Sequence, residues 1–140
     1  MRRIVALALV LRLAAILVSP NTQDIPNYHL VGETLLQGGR LYADTPTAYP
    51  YPPLWAMWEV AAVLLGRWVP YPLVVRLPIL AAEIGILVML RNMAGPRAAL
   101  LYAITPLPIM ISGFHGQFDS LPLLFILAAR ARHWQRLRLS

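Results

Sequence analysis

The sequence predicts an all-α integral membrane protein of about four transmembrane helices, with a long extracytoplasmic first loop that carries interfacial helices. Three observations point there. Of the 140 residues, 59% are hydrophobic and 13% charged, against about 45–50% and about 25% in soluble domains. The apolar residues come in blocks that approach the roughly 20 residues of a bilayer span. All 12 basic residues are Arg, and they stand singly or in pairs beside those blocks, as topology signals do. A nucleic-acid binder would gather such charge on one solvated face, so no nucleic-acid partner is expected. The chain has no Cys, which excludes a disulfide scaffold and a Cys-based metal site.

The first block, residues 4–18, follows Arg2-Arg3 and is interrupted by Arg12. It is expected to span, with Arg12 snorkelling toward the inner face. The competing reading is a cleaved signal peptide. Against it, Arg12 breaks the apolar region and no small-x-small site follows Val18.

Residues 19–53 form a polar stretch rich in Pro, Gly, Asn and Tyr. Within it, Tyr28 to Leu36 has helical patterning, and Gly38-Gly39 ends that helix. Tyr49-Pro50-Tyr51-Pro52-Pro53 must be extended, because each Pro restricts its own backbone and that of its predecessor. Residues 54–69 are apolar with Trp55, Trp58 and Trp68, a composition suited to the membrane interface. Residues 73–90 contain Arg76 and Glu83; residues 98–112 contain Pro106 and Pro108. The last block begins at Leu121, has nine apolar residues to Ala129, and runs into Arg130, Arg132, Arg136 and Arg138.

Charge decides the topology. If 54–69 spans, the Arg-rich C-terminus falls outside. If 54–69 lies in the outer interface, the spans are about 4–18, 73–90, 98–112 and 121–134, with an outer loop over 19–72. Nine Arg are then cytoplasmic with the N-terminus, as the positive-inside rule requires. Arg40, Arg67 and Arg76 are outside with Asp24, Glu33, Asp44, Glu59 and Asp119, and Glu83 lies within a span. Any chemistry is therefore expected on the extracytoplasmic face.

Two segments on that face carry candidate groups. Asp24 lies six residues beyond the first span. A partly desolvated carboxylate there suits a general base; the structural alternative is a helix cap. In Phe114-His115-Gly116-Gln117-Phe118-Asp119-Ser120, a helical start would bring His115 and Asp119 together. They would then hold a phosphate, a sugar hydroxyl or a metal; the alternative is a polar turn capping the next helix. The outer Arg residues either neutralise a phosphate or pair with Glu33, Asp44 or Glu59. Arg76 and Glu83 are seven apart, on one helix face, and are expected to share a polar cavity. A small transporter component built on that pair is a further reading, but it leaves the long outer loop unexplained. No phosphate-binding Gly-rich loop and no Gly-x-Ser-x-Gly is present.

The segments form an ordered series. Asp24, Tyr28, Gly38-Gly39, Leu41-Tyr42 and Tyr51-Pro52-Pro53-Leu54 come first. Leu77-Pro78-Ile79-Leu80-Ala81-Ala82-Glu83-Ile84-Gly85, Leu101-Tyr102-Ala103-Ile104-Thr105-Pro106 and Ser112-Gly113-Phe114-His115-Gly116-Gln117-Phe118-Asp119-Ser120-Leu121 follow. This series, over roughly residues 3–127, resembles the N-terminal part of GT-C membrane glycosyltransferases. It is similar to the GPI mannosyltransferase catalytic subunit and the asparagine-linked glycosylation glucosyltransferases, with their prokaryotic relatives.

The resemblance implies an inverting hexosyltransferase that takes its sugar, mannose among the candidates, from a polyprenyl phosphate. It acts on an unidentified acceptor at the extracytoplasmic face of a prokaryotic cell membrane or the endoplasmic reticulum. Asp24 matches the family's catalytic base. His115, Gln117, Asp119, Arg76 and Tyr28 are the candidate substrate-binding residues. Some relatives carry Asp-x-Asp where Pro26 and Asn27 follow Asp24-Ile25 here, so a divalent metal lacks a complete ligand set and the cofactor stays unassigned. The relatives are much longer. The short final block therefore predicts a truncated enzyme, or a subunit completed by a second polypeptide. The alternative is a non-catalytic membrane subunit or inactive fragment that keeps the fold.

Overall fold

The computed structural model describes residues 1–22, 24–45 and 49–139, with side chains through Ala131. It is all-helical: 76% of the chain is helix, with no strand among the described residues. In chain order the helices are α1 (Arg2–Val18), α2 (Asp24–Leu36), α3 (Pro53–Leu65), α4 (Tyr71–Val75), α5 (Leu77–Ala94) and α6 (Pro96–Ile104). The single turn α7 (Pro106–Pro108), a π-helical segment Ile109–His115 and α8 (Ser120–Leu139) follow.

Local chemistry sets these boundaries. Pro stands in the first turn of α3, α4, α5 and α6, where its missing N–H is not needed. Helix α2 ends where Gly38 takes a positive φ of 84°, a backbone that costs a residue without Cβ nothing. It begins at Asp24, four residues earlier than the Tyr28 expected from patterning. The block expected to be one helix over 98–112 is broken. Pro106 forces Thr105 out of helical geometry (φ −63°, ψ 128°), and the halves meet at 52°.

Packing contacts give the direction of each helix. Arg76, at the head of α5, reaches the carbonyls of Ser19 and Pro20 beyond the end of α1. Further along, Glu83 meets Arg12, and Leu87 packs with Ala8. Thus α5 runs antiparallel to α1. From α6 to His115 the chain turns back alongside α1. Ala99 and Ala103 share a core with Ala8, and a Cβ on Gly113 would lie 3.0 Å from the Ala15 Cβ. Helix α8 runs parallel to α5: Ser120 Oγ donates to the Ile79 carbonyl (3.4 Å), and Gly85 lies under the Leu124 side chain. The four elements alternate in direction.

Helices α2, α3 and α4 pack together at the end of the bundle where α1 finishes. Their core holds Ile25, Tyr28, Trp55, Ala62, Val74 and Ile79. Gly32 allows the closest approach: a Cβ there would meet Val63 Cγ2 at 2.7 Å and the Glu59 carbonyl oxygen at 2.8 Å. The Trp58 indole N–H donates to the Val75 carbonyl (3.1 Å) and ties α3 to α4.

By length and composition, one continuous helical stretch among the described residues can cross a bilayer: Tyr71–Ala94, mean hydropathy 2.3. Pro96–Ile104 and Pro106–His115 qualify only together, as a bent pair. At 17 residues α1 rises about 26 Å, short of a hydrocarbon core of about 30 Å.

Two expectations about charge are corrected. Arg12 does not snorkel. It is fully buried, and its Nε donates to Glu83 Oε2 at 2.9 Å. The Tyr102 hydroxyl donates to the other Glu83 oxygen at 3.1 Å, and Arg12 Nη1 donates to the Ala8 and Ala103 carbonyls at 3.3 Å. A carboxylate one helix away satisfies the guanidinium more completely than a stretched side chain at the membrane edge. Arg76 and Glu83 consequently do not share a cavity, because each already has other partners.

Candidate functional site

Helix α2 and the extended Tyr-Pro segment build a cleft together. Asp24, Asn27, Tyr28 and Val31 line one side, at the spacing of successive helical turns. Tyr49, Pro50 and Tyr51 line the other. The cleft encloses about 150 Å³. The Tyr49 and Tyr51 rings meet edge-to-face at 5.3 Å, and Pro50 and Pro52 beside them keep this stretch out of a helix.

An aromatic wall closes the cleft at the back. The Tyr28 ring meets Tyr51 at 5.8 Å and Trp55 at 5.6 Å, both edge-to-face. Phe118 contacts Tyr51 at 4.9 Å and stacks on Trp55 at 4.6 Å. Such pairs contribute about 0.5–1.5 kcal/mol each beyond their buried area. On the far side of the wall lies an apolar groove of about 590 Å³, where Trp55, Trp58, Pro78, Phe118, Leu121 and Phe125 are among the lining residues. The carboxylate cleft and the apolar groove thus share one partition.

Electrostatics stiffen this partition. Tyr49 donates its hydroxyl to Glu59 Oε1 at 3.0 Å. Glu59 is fully buried, its Oε2 has no hydrogen-bond partner among the described residues, and burial pushes its pKa up to about 8 against the opposing pull of the Tyr49 hydrogen bond. Burial also raises the Tyr28 and Tyr49 hydroxyls well above their ordinary pKa; the Glu59 carboxylate adds to both. Both tyrosines are therefore neutral; Tyr49 is hydrogen-bonded, and the buried Tyr28 hydroxyl has no partner among the described residues.

The structure brings Asp24 and Tyr28 into one cleft; the other candidates do not line it, though Arg76 lies close enough to Tyr28 to interact with it electrostatically. The Thr22 hydroxyl donates to the His115 carbonyl (2.8 Å), so the π-helical segment ends beside the start of α2. There Gly116, with φ +75°, lies against Ile25. His115 closes one helix and Asp119 precedes the next. The single helical start that would join them does not form, and both side chains are exposed. Gln117 is half-buried on the same turn.

Arg76 is not an open phosphate ligand. Its guanidinium is buried, and it donates to the carbonyls of Pro72 (2.9 Å), Pro20 (3.1 Å), Phe114 (3.1 Å) and Ser19 (3.4 Å). Arg40 is held by Asp44 (3.2 Å), and this pairing lowers the Asp44 pKa. No cation lines the cleft among the described residues.

Reading the sequence missed Glu59 as a buried group and Tyr49 and Tyr51 as cleft walls. Trp55, Glu59 and Ala62 share the buried face of α3 at four- and three-residue spacing, and that register was the available signal. No protein-family model, curated protein or solved structure matches the chain.

Proposed function

We propose that this chain is a GT-C-like membrane glycosyltransferase, or the N-terminal part of one, that moves a hexose from a polyprenyl phosphate to an acceptor hydroxyl with inversion. The observation that carries the reading is the shared partition. A lipid-linked sugar needs a polar chamber with a carboxylate and, beside it, an apolar surface for its chain. The Asp24 cleft and the Trp55–Phe118 groove meet that requirement. Apolar side chains exposed along α1 and α8, among them Val10, Leu17, Phe125 and Ile126, suit a bilayer.

In this reading Asp24 accepts the acceptor's hydroxyl proton as the oxygen attacks the anomeric carbon. The bond from that carbon to the phosphate oxygen breaks, and polyprenyl phosphate leaves. Tyr28 and Asn27 are positioned to orient the sugar hydroxyls. His115, on the adjoining turn, is the candidate contact for the leaving phosphate; Arg76 is withdrawn from that role by its four carbonyl partners. Replacing Asp24 by Asn in the chain reconstituted with donor and acceptor is expected to lower transfer by about 10²–10⁴-fold. Unchanged transfer overturns the assignment.

A second reading, a non-catalytic membrane subunit, is favoured by the lack of a cation lining the cleft among the described residues. Turnover by the chain alone decides against it; turnover that needs a second polypeptide and is unchanged by Asp24→Asn supports it.

A further inference from the structure

At the end of the bundle opposite the cleft, the helix directions bring together cations from four elements. Met1 and Ile4 pack against the core of Leu87 and Ala99, so Arg2 and Arg3 sit beside the corner where α5 passes into α6. Arg91 lies in the last turn of α5, and Arg97 in the first turn of α6. Helix α8 descends in step with α5, from Ser120 at Ile79 to Leu124 at Gly85. That register brings Arg130 level with Arg91. All five arginines are exposed, and none forms an ion pair with a described residue.

The acids are elsewhere. Asp24, Glu33, Asp44, Glu59 and Asp119 belong to the cleft end, and Glu83 is buried against Arg12. Arg132, Arg136 and Arg138 continue along α8 beyond Arg130. Every cation is Arg, whose planar fork grips phosphate oxygens two at a time, where a Lys offers a point charge. The neighbouring helix faces are apolar, with Leu7, Val88, Met93 and Leu100 exposed. A ligand that fits both features has a phosphate head and hydrocarbon tails.

We infer that this end of the bundle is a binding site for anionic phospholipid, with Arg2, Arg3, Arg91, Arg97 and Arg130 holding the headgroup phosphate. The inference rests on the reading of the chain as a membrane protein, but not on glycosyl transfer. The phosphate binds where no carboxylate repels it, and the acyl chains lie along the apolar faces of α1, α5 and α6.

The test uses the full chain in detergent micelles, with thermal stability and lipid retention by native mass spectrometry as readouts. Phosphatidylglycerol is expected to stabilise the protein and remain bound, whereas phosphatidylcholine does neither. Arg91→Gln with Arg97→Gln is expected to weaken phosphatidylglycerol retention on the order of tenfold, while Asp24→Asn retains it fully. Equal retention of the two lipids overturns the proposal, as does wild-type behaviour of the double variant. If inorganic phosphate or a short oligonucleotide reproduces the stabilisation, the site takes a soluble anion and the lipid assignment falls. Alkaline extraction of cell membranes separately tests the membrane reading: release of the wild-type chain refutes that reading, and with it this site.

Discussion

Tyr49 gives its hydroxyl hydrogen to the buried carboxyl of Glu59 across 3.0 Å, and thereby ties the cleft's loop wall to helix α3. One Glu59 oxygen is satisfied and the other has no partner among the described residues, so ionising the group inside the fold is costly. Its folded pKa of about 8 lies above its ordinary 4.5. Below 4.5 the group is protonated whether folded or not, and its contribution to stability is fully present. As pH rises through the window to about 8, the unfolded chain releases the proton first and stability falls, at up to about 1.4 kcal/mol per pH unit. Thermal scans from pH 4 to 9 should show this decline. Glu59→Gln, which keeps the acceptor for Tyr49, should flatten it and be the more stable protein at pH 8.

The Arg12–Glu83 pair predicts a pattern of non-additivity. Arg12→Leu or Glu83→Leu alone leaves one buried charge without its counterion, at a cost of about 3–5 kcal/mol. Both together remove the charges and should recover most of that loss. Denaturant or thermal unfolding of the three variants measures the coupling. Additive losses would show that the two side chains act independently.

Gly32→Ala should loosen the cleft end selectively. The added Cβ would stand 2.8 Å from the Glu59 carbonyl oxygen, and backbone yields less readily than a side chain tip. Overpacking of this kind costs about 1–3 kcal/mol. Hydrogen exchange should rise in α2 and α3 but not in α1 or α6.

Arg76→Lys keeps the charge but cannot fan donors to four carbonyls on three separate segments. A loss of about 1–3 kcal/mol is expected, with exchange increasing where α1 ends and around Phe114. Protection by added phosphate would instead mean that the guanidinium is free to bind anions.

Much of the fold was legible because apolar blocks, prolines and glycines act locally. The helical character of each block, the stop at Gly38 and the non-helical run from Tyr49 to Pro52 follow from residues adjacent in sequence, although Pro53, expected to be extended, instead opens α3. The break at Thr105 was legible in principle, since Pro106 dictates it, yet the continuous hydrophobicity of residues 98–112 conceals it. The partners of Arg12, Arg76 and Glu59 were not legible. Each is fixed by tertiary contacts, with 71 residues separating Arg12 from Glu83 and a main-chain cradle formed around Arg76. Asp24 and Tyr28 share a cleft because one helix carries both. His115 and Asp119 fail to meet because Gly116 turns the chain between them.

The buried Arg12 sets an order of events during synthesis. In a bilayer, an arginine at mid-helix costs roughly 2.5–3.5 kcal/mol on insertion scales. The carboxylate that neutralises it is translated 71 residues later, an interval of about 4–14 s at ribosomal rates. On the membrane reading proposed above, the first helix would until then be a reluctant resident of the lipid, held back at the insertion machinery or tilted toward water. The arrival of α5 would then be the event that commits the N-terminus to the bilayer.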